Sequence, residues 1–172
     1  RITKGGALAL LGRVQMAEKL WTDAMSTYKQ IIDLDIYEID SRFEELFEDD
    51  GENSTEIILS MKRMPELYGN SIQLSTYGFT WGGYHHYSPY NELVEEFECI
   101  DGLPIDESSL YEIDDPYKDR DPRLYMTIMI DRLSIFKGVL YVAHPDSSPT
   151  IYKDQLTRRP WSGYLLNKFC DE

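Results

Sequence analysis

The segment TKGGALALLGRVQMAEKLWTDAMSTYKQIIDL, residues 3–34, places apolar and small side chains at helical intervals. Its first half opens with Thr3, a preferred N-cap residue, and then repeats apolar residues three or four positions apart. Its second half keeps the same spacing from Trp21 onward. The sequence therefore predicts a buried amphipathic helix over residues 3–18 and a second helix over residues 21–34. Because the link between them is so short, the two helices should lie antiparallel.

The spacing of Trp21, Ala24 and Tyr28 resembles that of a helix–turn–helix unit of the tetratricopeptide type. Such a unit cannot bury its own apolar face and is stabilised by stacked neighbours. We therefore expect further helix pairs to precede this one in the complete protein.

The chain beyond residue 34 predicts shorter elements, because Pro, Gly and acidic clusters interrupt its apolar patterns. The predicted elements are a helical turn over 43–47, a buried strand over 56–61, a helix from Ser88-Pro89 with Tyr90, Leu93, Val94 and Phe97 on one apolar face, a helical turn opening into a strand over 124–130, and strands over 139–142 and 164–169.

Charge narrows the classes of partner. The 172-residue chain carries 31 acidic and 17 basic residues, a formal net charge of −14. It lacks the basic patch that neutralises phosphates, so no nucleic-acid partner is expected, and no apolar run approaches the roughly 18 residues of a membrane span. The acids concentrate in residues 38–56, with nine acids and one base, and residues 92–121, with twelve acids and two bases. We interpret both segments as solvated surfaces, since Asp49-Asp50-Gly51-Glu52 lacks the ligand spacing of an EF-hand calcium loop.

Aromatic residues are concentrated in one stretch of the chain. Residues 68–90 contain seven aromatics, against about three expected from the 13% average. Glycines and small polar residues separate them, which disfavours both a helix and a long strand. The sequence predicts a long aromatic loop over residues 68–87. Between residues 57 and 91 the only charged residues are Lys62, Arg63 and Glu66.

Residue patterns for catalysis or metal binding are missing from the sequence. The neighbours His85 and His86 would point in different directions on a helix or strand, which makes them a poor metal site. No G-x-S-x-G, H-E-x-x-H, Walker or G-x-G-x-x-G motif occurs. Cys99 and Cys170 are too few for a disulfide framework, and we expect two small buried apolar residues, with one long-range bridge as the alternative. The sequence predicts no enzyme, no cofactor and no metal.

The residues of the aromatic loop fit sugar binding better than they fit catalysis or metal binding. Sugar rings pack their C–H faces on Trp or Tyr, and their hydroxyls require polar side chains as partners. The loop interleaves both types: Tyr77, Phe79, Trp81 and Tyr84 for stacking, with Asn70, Gln73, His85 and His86 for hydroxyls. The alternative is that these aromatics anchor a glycine-rich loop on the helices beneath it. Composition leaves both interpretations open.

Several short stretches, in order along nearly the whole chain, share a family pattern. They include residues 3–14 (TKGGALALLGRV), Trp81-Gly82-Gly83-Tyr84, residues 88–94 (SPYNELV), residues 101–105 (DGLPI) and residues 117–124 (YKDRDPRL). In this pattern the chain resembles the SusD/RagB family, the glycan-binding outer-membrane lipoproteins of Bacteroidetes. The resemblance implies a mainly α fold, an α-α superhelix of tetratricopeptide-like helix pairs with a few short strands and long loops.

The resemblance also implies a function without a chemical step. Family members capture oligosaccharide or polysaccharide at the cell surface and deliver it to a SusC-like TonB-dependent transporter for uptake. It makes Trp81, Tyr84 and Tyr77 candidates for stacking, with Asn70 and His85 as hydroxyl partners. The only expected link to the outer membrane is a lipid anchor, which, like the export signal, lies outside this chain.

The resemblance divides the chain into residues 1–50, a tetratricopeptide-like helical segment, and residues 51–172, the start of a SusD/RagB-type domain that carries the aromatic loop. Both parts would be incomplete, since family proteins are about three times as long. Asp121-Pro122-Arg123 is a family hallmark to which we assign a structural role: Asp121 caps a turn and Arg123 pairs with a nearby carboxylate. Two functions remain as alternatives to glycan capture: a helical-repeat scaffold that docks proteins, and a glycan-cleaving enzyme with paired carboxylates.

Overall fold

A computed structural model describes residues 2–61, 69, 71–78, 81–143, 160 and 162–170. The chain forms two compact units, Arg1–Asn70 and Ser71–Glu172. The domain boundary placed after residue 50 from the sequence stays a prediction. In the described part of the chain, no helix is both long and apolar enough to span a bilayer.

The first unit begins with the two helices predicted from sequence. Helix α1 spans Lys4–Ala17 and helix α2 spans Trp21–Ile32. The Thr3 hydroxyl accepts a hydrogen bond from the Gly6 amide at 3.1 Å, which confirms the predicted N-cap. Between the helices, the Thr27 hydroxyl donates to the Gln15 side-chain oxygen at 2.8 Å.

The buried face of α1 differs from the prediction. Its buried residues are Gly5, Gly6 and Gly12, whereas Leu11 and Val14 are exposed. Glycine is needed at Gly5 and Gly12 because the rings of Tyr37 and Tyr28 approach the helix there. A Cβ on Gly12, for example, would lie 2.5 Å from the Tyr28 ring. Leu11 and Val14 are not covered by the described residues of this unit, as expected for a helix pair that packs against neighbours.

After α2, the described residues of the first unit form turns and irregular segments. Two 3-10 turns, Glu45–Phe47 and Asp49–Asn53, follow the helices, the first of them inside the helical turn predicted over 43–47. The strand predicted over 56–61 is wrong, because these residues have no strand partner. The Ile57 amide instead donates to the Ser54 carbonyl at 3.2 Å in a turn. An apolar sequence run makes a strand only where another strand is available to complete its hydrogen bonds.

The described residues of the second unit form three short helices and two pairs of short antiparallel strands. The helices are α3 (Ile72–Thr76), α4 (Asn91–Glu95) and α5 (Arg123–Thr127). Strand β1 (Ile128–Met129) pairs with β4 (Leu165–Leu166), and β2 (Ile135–Phe136) pairs with β3 (Val139–Leu140). The helical turn opening into a strand over 124–130 is confirmed. The strands predicted over 139–142 and 164–169 are present but shorter.

The helix predicted from Ser88-Pro89 begins later, at Asn91, with Tyr90 as its N-cap residue. Its predicted apolar face is correct for Val94, which is 3% exposed, and wrong for Tyr90, which is 75% exposed. A helix of one and a half turns has too little length to bury a full stripe, so only Val94 of its five residues is buried.

Two apolar clusters form the core of this unit. One contains Met129, Phe136, Tyr141, Leu165 and Cys170, and the other contains Val94, Leu124, Ile128 and Ile130. Cys99 and Cys170 are both buried free thiols, which confirms the sequence-based expectation over the alternative of a bridge.

Candidate functional site

The predicted aromatic loop is more ordered than its composition indicates. It contains α3, and backbone hydrogen bonds fasten the segment after Gly83 to that helix. The Tyr84 amide donates to the Leu74 carbonyl at 2.8 Å, and the His85 amide donates to the Tyr77 carbonyl at 3.0 Å. The Tyr87 amide donates to the Ser75 carbonyl at 3.3 Å. These bonds hold the described part of the predicted long loop on a frame formed by α3.

Gly83 is the point of closest approach in this frame. It is buried, and a Cβ at this position would overlap the backbone carbonyl of Tyr77. Gly82 has a φ of +84° but open space around it. The two neighbouring glycines therefore serve different purposes, close packing at Gly83 and a left-handed turn at Gly82.

We expect Gly83→Ala to destabilise the frame by about 1–3 kcal/mol, because backbone must move to make room. Gly82→Ala should cost about 1 kcal/mol, since it adds only left-handed strain. Hydrogen exchange of the Tyr84 and His85 amides in the two variants measures the difference. Equal protection of these amides in both variants would contradict the assignment of Gly83 to close packing.

Tyr77 and Trp81, two of the predicted stacking residues, pack on the core. The Trp81 ring lies edge-to-face on Phe136, with centroids 5.3 Å apart, and the Tyr77 ring lies on the same residue at 5.4 Å. The Trp81 ring also lies near the Tyr141 ring, with centroids 6.5 Å apart. The buried Trp81 indole N–H has no hydrogen-bond partner among the described residues. The structure thus brings Tyr77 and Trp81 together around Phe136.

Two other predicted site residues, Tyr84 and His85, are described by the structure. Tyr84 is 51% exposed, and its ring contacts His86 edge-to-face at 5.6 Å. His85 is half-buried and has a positive φ of 38°. Asn70 falls outside the described residues, as does Phe79. The assignment of these residues to a ligand site stays a prediction.

Sequence reasoning did not select two further exposed rings, Tyr87 and Tyr90. They are 60% and 75% exposed, and Tyr90 lines a cleft of about 540 Å³. The other residues around the cleft are Ser88, Pro89, Glu92 and Leu93. Tyr recurs at every third position, at 84, 87 and 90, and this spacing is the sequence feature that could have indicated them.

A hydrogen-bond chain involves Asn91, the first residue of α4. The Tyr164 hydroxyl lies 2.9 Å from the Tyr117 hydroxyl and donates to the Asn91 side-chain oxygen at 3.2 Å. Asn91 in turn donates to the Glu95 carboxylate at 2.5 Å. Burial, reinforced by the Tyr117 contact, raises the pKa of Tyr164 above its ordinary value. This neutral hydroxyl pair fixes the start of α4 relative to β4.

Arg120 is a buried residue that sequence reasoning also missed. It is 3% exposed and donates to three backbone carbonyls, those of Val94, Phe97 and Pro116, at 2.6–2.8 Å. Two of these carbonyls lie at or just beyond the end of α4, where helix geometry leaves them without partners. Arg120 therefore ties α4 to the turn before α5.

The structural role predicted for Asp121-Pro122-Arg123 agrees with the contacts observed. The Asp121 carboxylate accepts a hydrogen bond from the Arg123 amide at 2.8 Å and forms an ion pair with the Arg123 guanidinium. The Arg123 side chain holds the pKa of Asp121 below its usual value. The carboxylate that pairs with Arg123 is thus Asp121 itself.

Together these features define a mainly α protein with a tetratricopeptide-like helix pair. In its second unit, Tyr84 and Tyr87 are exposed while their backbone is bonded to α3. Within the described residues, no three His, Cys, Asp or Glu side chains are grouped to hold a metal ion. The SusD family model matches residues 44–172, and the chain belongs to the SusD family.

Solved structures agree with this assignment. A SusD-like carbohydrate binding protein from Bacteroides fragilis NCTC 9343 is 27% identical, with a TM-score of 0.83 over 98% of this chain and 33% of its own. A second SusD-like protein from the same organism shares the fold at 24% identity, with a TM-score of 0.75 over 99% of this chain and 37% of its own. The chain thus spans about a third of each. Comparison with curated proteins gave no match.

Proposed function

We propose that the protein binds oligosaccharide or polysaccharide without cleaving it. The observation that carries this proposal is that Tyr84 and Tyr87 are exposed while backbone hydrogen bonds hold them on α3. Tyr rings on a fixed backbone offer flat apolar faces and hydroxyls with little ordering on binding. Membership of the SusD family, and the carbohydrate-binding description of the 27% identical structure, support the same ligand class.

The proposed role in the cell is nutrient capture at the outer-membrane surface, with delivery to a SusC-like TonB-dependent transporter. This part rests on family membership. The proposed ligand residues are Tyr84, with Tyr77, Trp81, Asn70 and His85. Binding would combine ring stacking with hydrogen bonds to sugar hydroxyls, so no bond of the glycan is broken.

Affinity electrophoresis of the full-length protein against a polysaccharide panel tests the proposal. We expect retardation by at least one polysaccharide, and no release of reducing sugar from it. Tyr84→Ala should weaken that binding about tenfold with an unchanged Tm, because its exposed ring contributes mainly to ligand contact. Retardation by none of the polysaccharides would overturn the proposed function.

Trp81→Ala separates the two roles open to that residue. A ligand contact predicts weaker binding at an unchanged Tm, whereas a core contact to Phe136 predicts a lower Tm. Trp81→Phe is the matched control, since it keeps an aromatic ring against Phe136. Unchanged binding and unchanged Tm in Trp81→Ala would remove the residue from both roles.

A further inference from the structure

Three tyrosines are exposed within seven residues of the second unit. We call residues 84–90 the tyrosine segment; its Tyr84, Tyr87 and Tyr90 side chains are 51%, 60% and 75% exposed. The first two have backbone amides bonded to α3, and the third is the N-cap residue of α4. The segment is therefore held at both ends while its rings face solvent. Rings held on an ordered backbone can stack on a ligand with little further loss of conformational freedom.

The cleft at the end of this segment suits a sugar ring. Pro89, Leu93 and the Tyr90 ring supply apolar surface, and the Ser88 hydroxyl and Glu92 carboxylate supply polar groups. The cleft is open to solvent, with a volume of about 540 Å³, so it could contact one face of a sugar without enclosing it. A sugar presents the same combination, a face of C–H bonds edged by hydroxyls.

Charge around the cleft limits the kind of sugar. Of the five residues that line the cleft, Glu92 is the charged one. The Glu92 side chain lines the cleft and has no ion-pair or hydrogen-bond partner among the described residues. A carboxylate accepts hydrogen bonds from hydroxyls and repels a uronate or sulfate within about 8 Å at physiological salt.

From these observations we propose that the tyrosine segment and its cleft are the ligand-contacting surface, with Tyr87, Tyr90 and Glu92 as contact residues, and that this surface selects neutral glycans over uronate- or sulfate-bearing ones. The inference rests on the proposed glycan-binding function. It adds three residues to the proposed site and names the charge class of the ligand.

Calorimetry of the full-length protein tests this, with amylopectin, yeast mannan, laminarin and xyloglucan as neutral probes and polygalacturonate and chondroitin sulfate as anionic probes. We expect a neutral probe to bind and the anionic probes to bind at least tenfold more weakly. For the bound neutral probe, Tyr87→Ala and Tyr90→Ala should each weaken binding about tenfold, and Tyr90→Phe by less than threefold, because it keeps the ring. Glu92→Gln should weaken binding about threefold or more.

Ile113→Ala is the matched control, because Ile113 is 83% exposed and apolar but outside the segment and the cleft. It should bind like the unmodified protein, and all variants should keep their Tm. Preference for an anionic probe, or unchanged neutral-glycan binding in a Tyr87→Ala/Tyr90→Ala double variant, overturns this inference and leaves the proposed function standing. Binding to no probe overturns both.

Discussion

Replacing Phe136 with alanine should lower the free energy of unfolding of the second unit by about 3–5 kcal/mol. The side chain is 2% exposed, within the core cluster around Tyr141 and Leu165. It is also the common support of Tyr77 and Trp81, whose rings lie edge-to-face on it at 5.4 and 5.3 Å. The substitution removes both contacts and leaves a cavity beside the Tyr77 and Trp81 rings.

Hydrogen exchange of the amides in β1–β3, followed in the full-length protein, measures this loss. Ile135→Ala is the matched control, because Ile135 is adjacent in the same strand but 65% exposed, and should cost less than about 1 kcal/mol. Phe136→Leu should fall between the two. Exchange rates in Phe136→Ala equal to those of the control would show that the core does not depend on this ring.

Arg120→Ala should be similarly damaging, at about 3–5 kcal/mol, because it leaves three buried or half-buried carbonyls without their donors. The guanidinium bonds to Val94 and Phe97 at 2.6 and 2.7 Å and to Pro116 at 2.8 Å. The backbone on either side of Arg120 also pairs with residues 98–100. Loss of the side chain therefore frees the end of α4 from the turn that precedes α5.

The amides of residues 94–100 report this effect, through faster exchange and a lower Tm. Arg120→Lys should recover only part of the stability, since an ammonium lacks the planar fork that reaches three carbonyls. Arg132→Ala is the surface control and should change stability by less than about 1 kcal/mol, because its side chain is 57% exposed and 3.9 Å from Asp131. Equal effects of Arg120→Ala and Arg132→Ala would refute the anchoring role of Arg120.

Local sequence patterns predicted those elements whose stability is local. The spacing from Thr3 to residue 34 predicts α1 and α2 because a helix completes its hydrogen bonds within itself and Thr3 supplies the cap. The strand predicted over 56–61 failed because a strand depends on a partner elsewhere in the chain. The same limit applies to α4, because Tyr164 bonds Asn91 at its start and Arg120 bonds carbonyls at its end, and both lie far along the chain.

The sequence by itself determined the helix pair, the family and the neutral aromatic stretch, since these depend on spacing, order and composition within short distances along the chain. Only the tertiary structure decided which aromatics pack on the core and which face solvent. Trp81 and Tyr77 pack on Phe136, more than 50 residues away, while Tyr84, Tyr87 and Tyr90 face solvent. Whether a ring is buried depends on the distant surface that meets it, which no local pattern encodes.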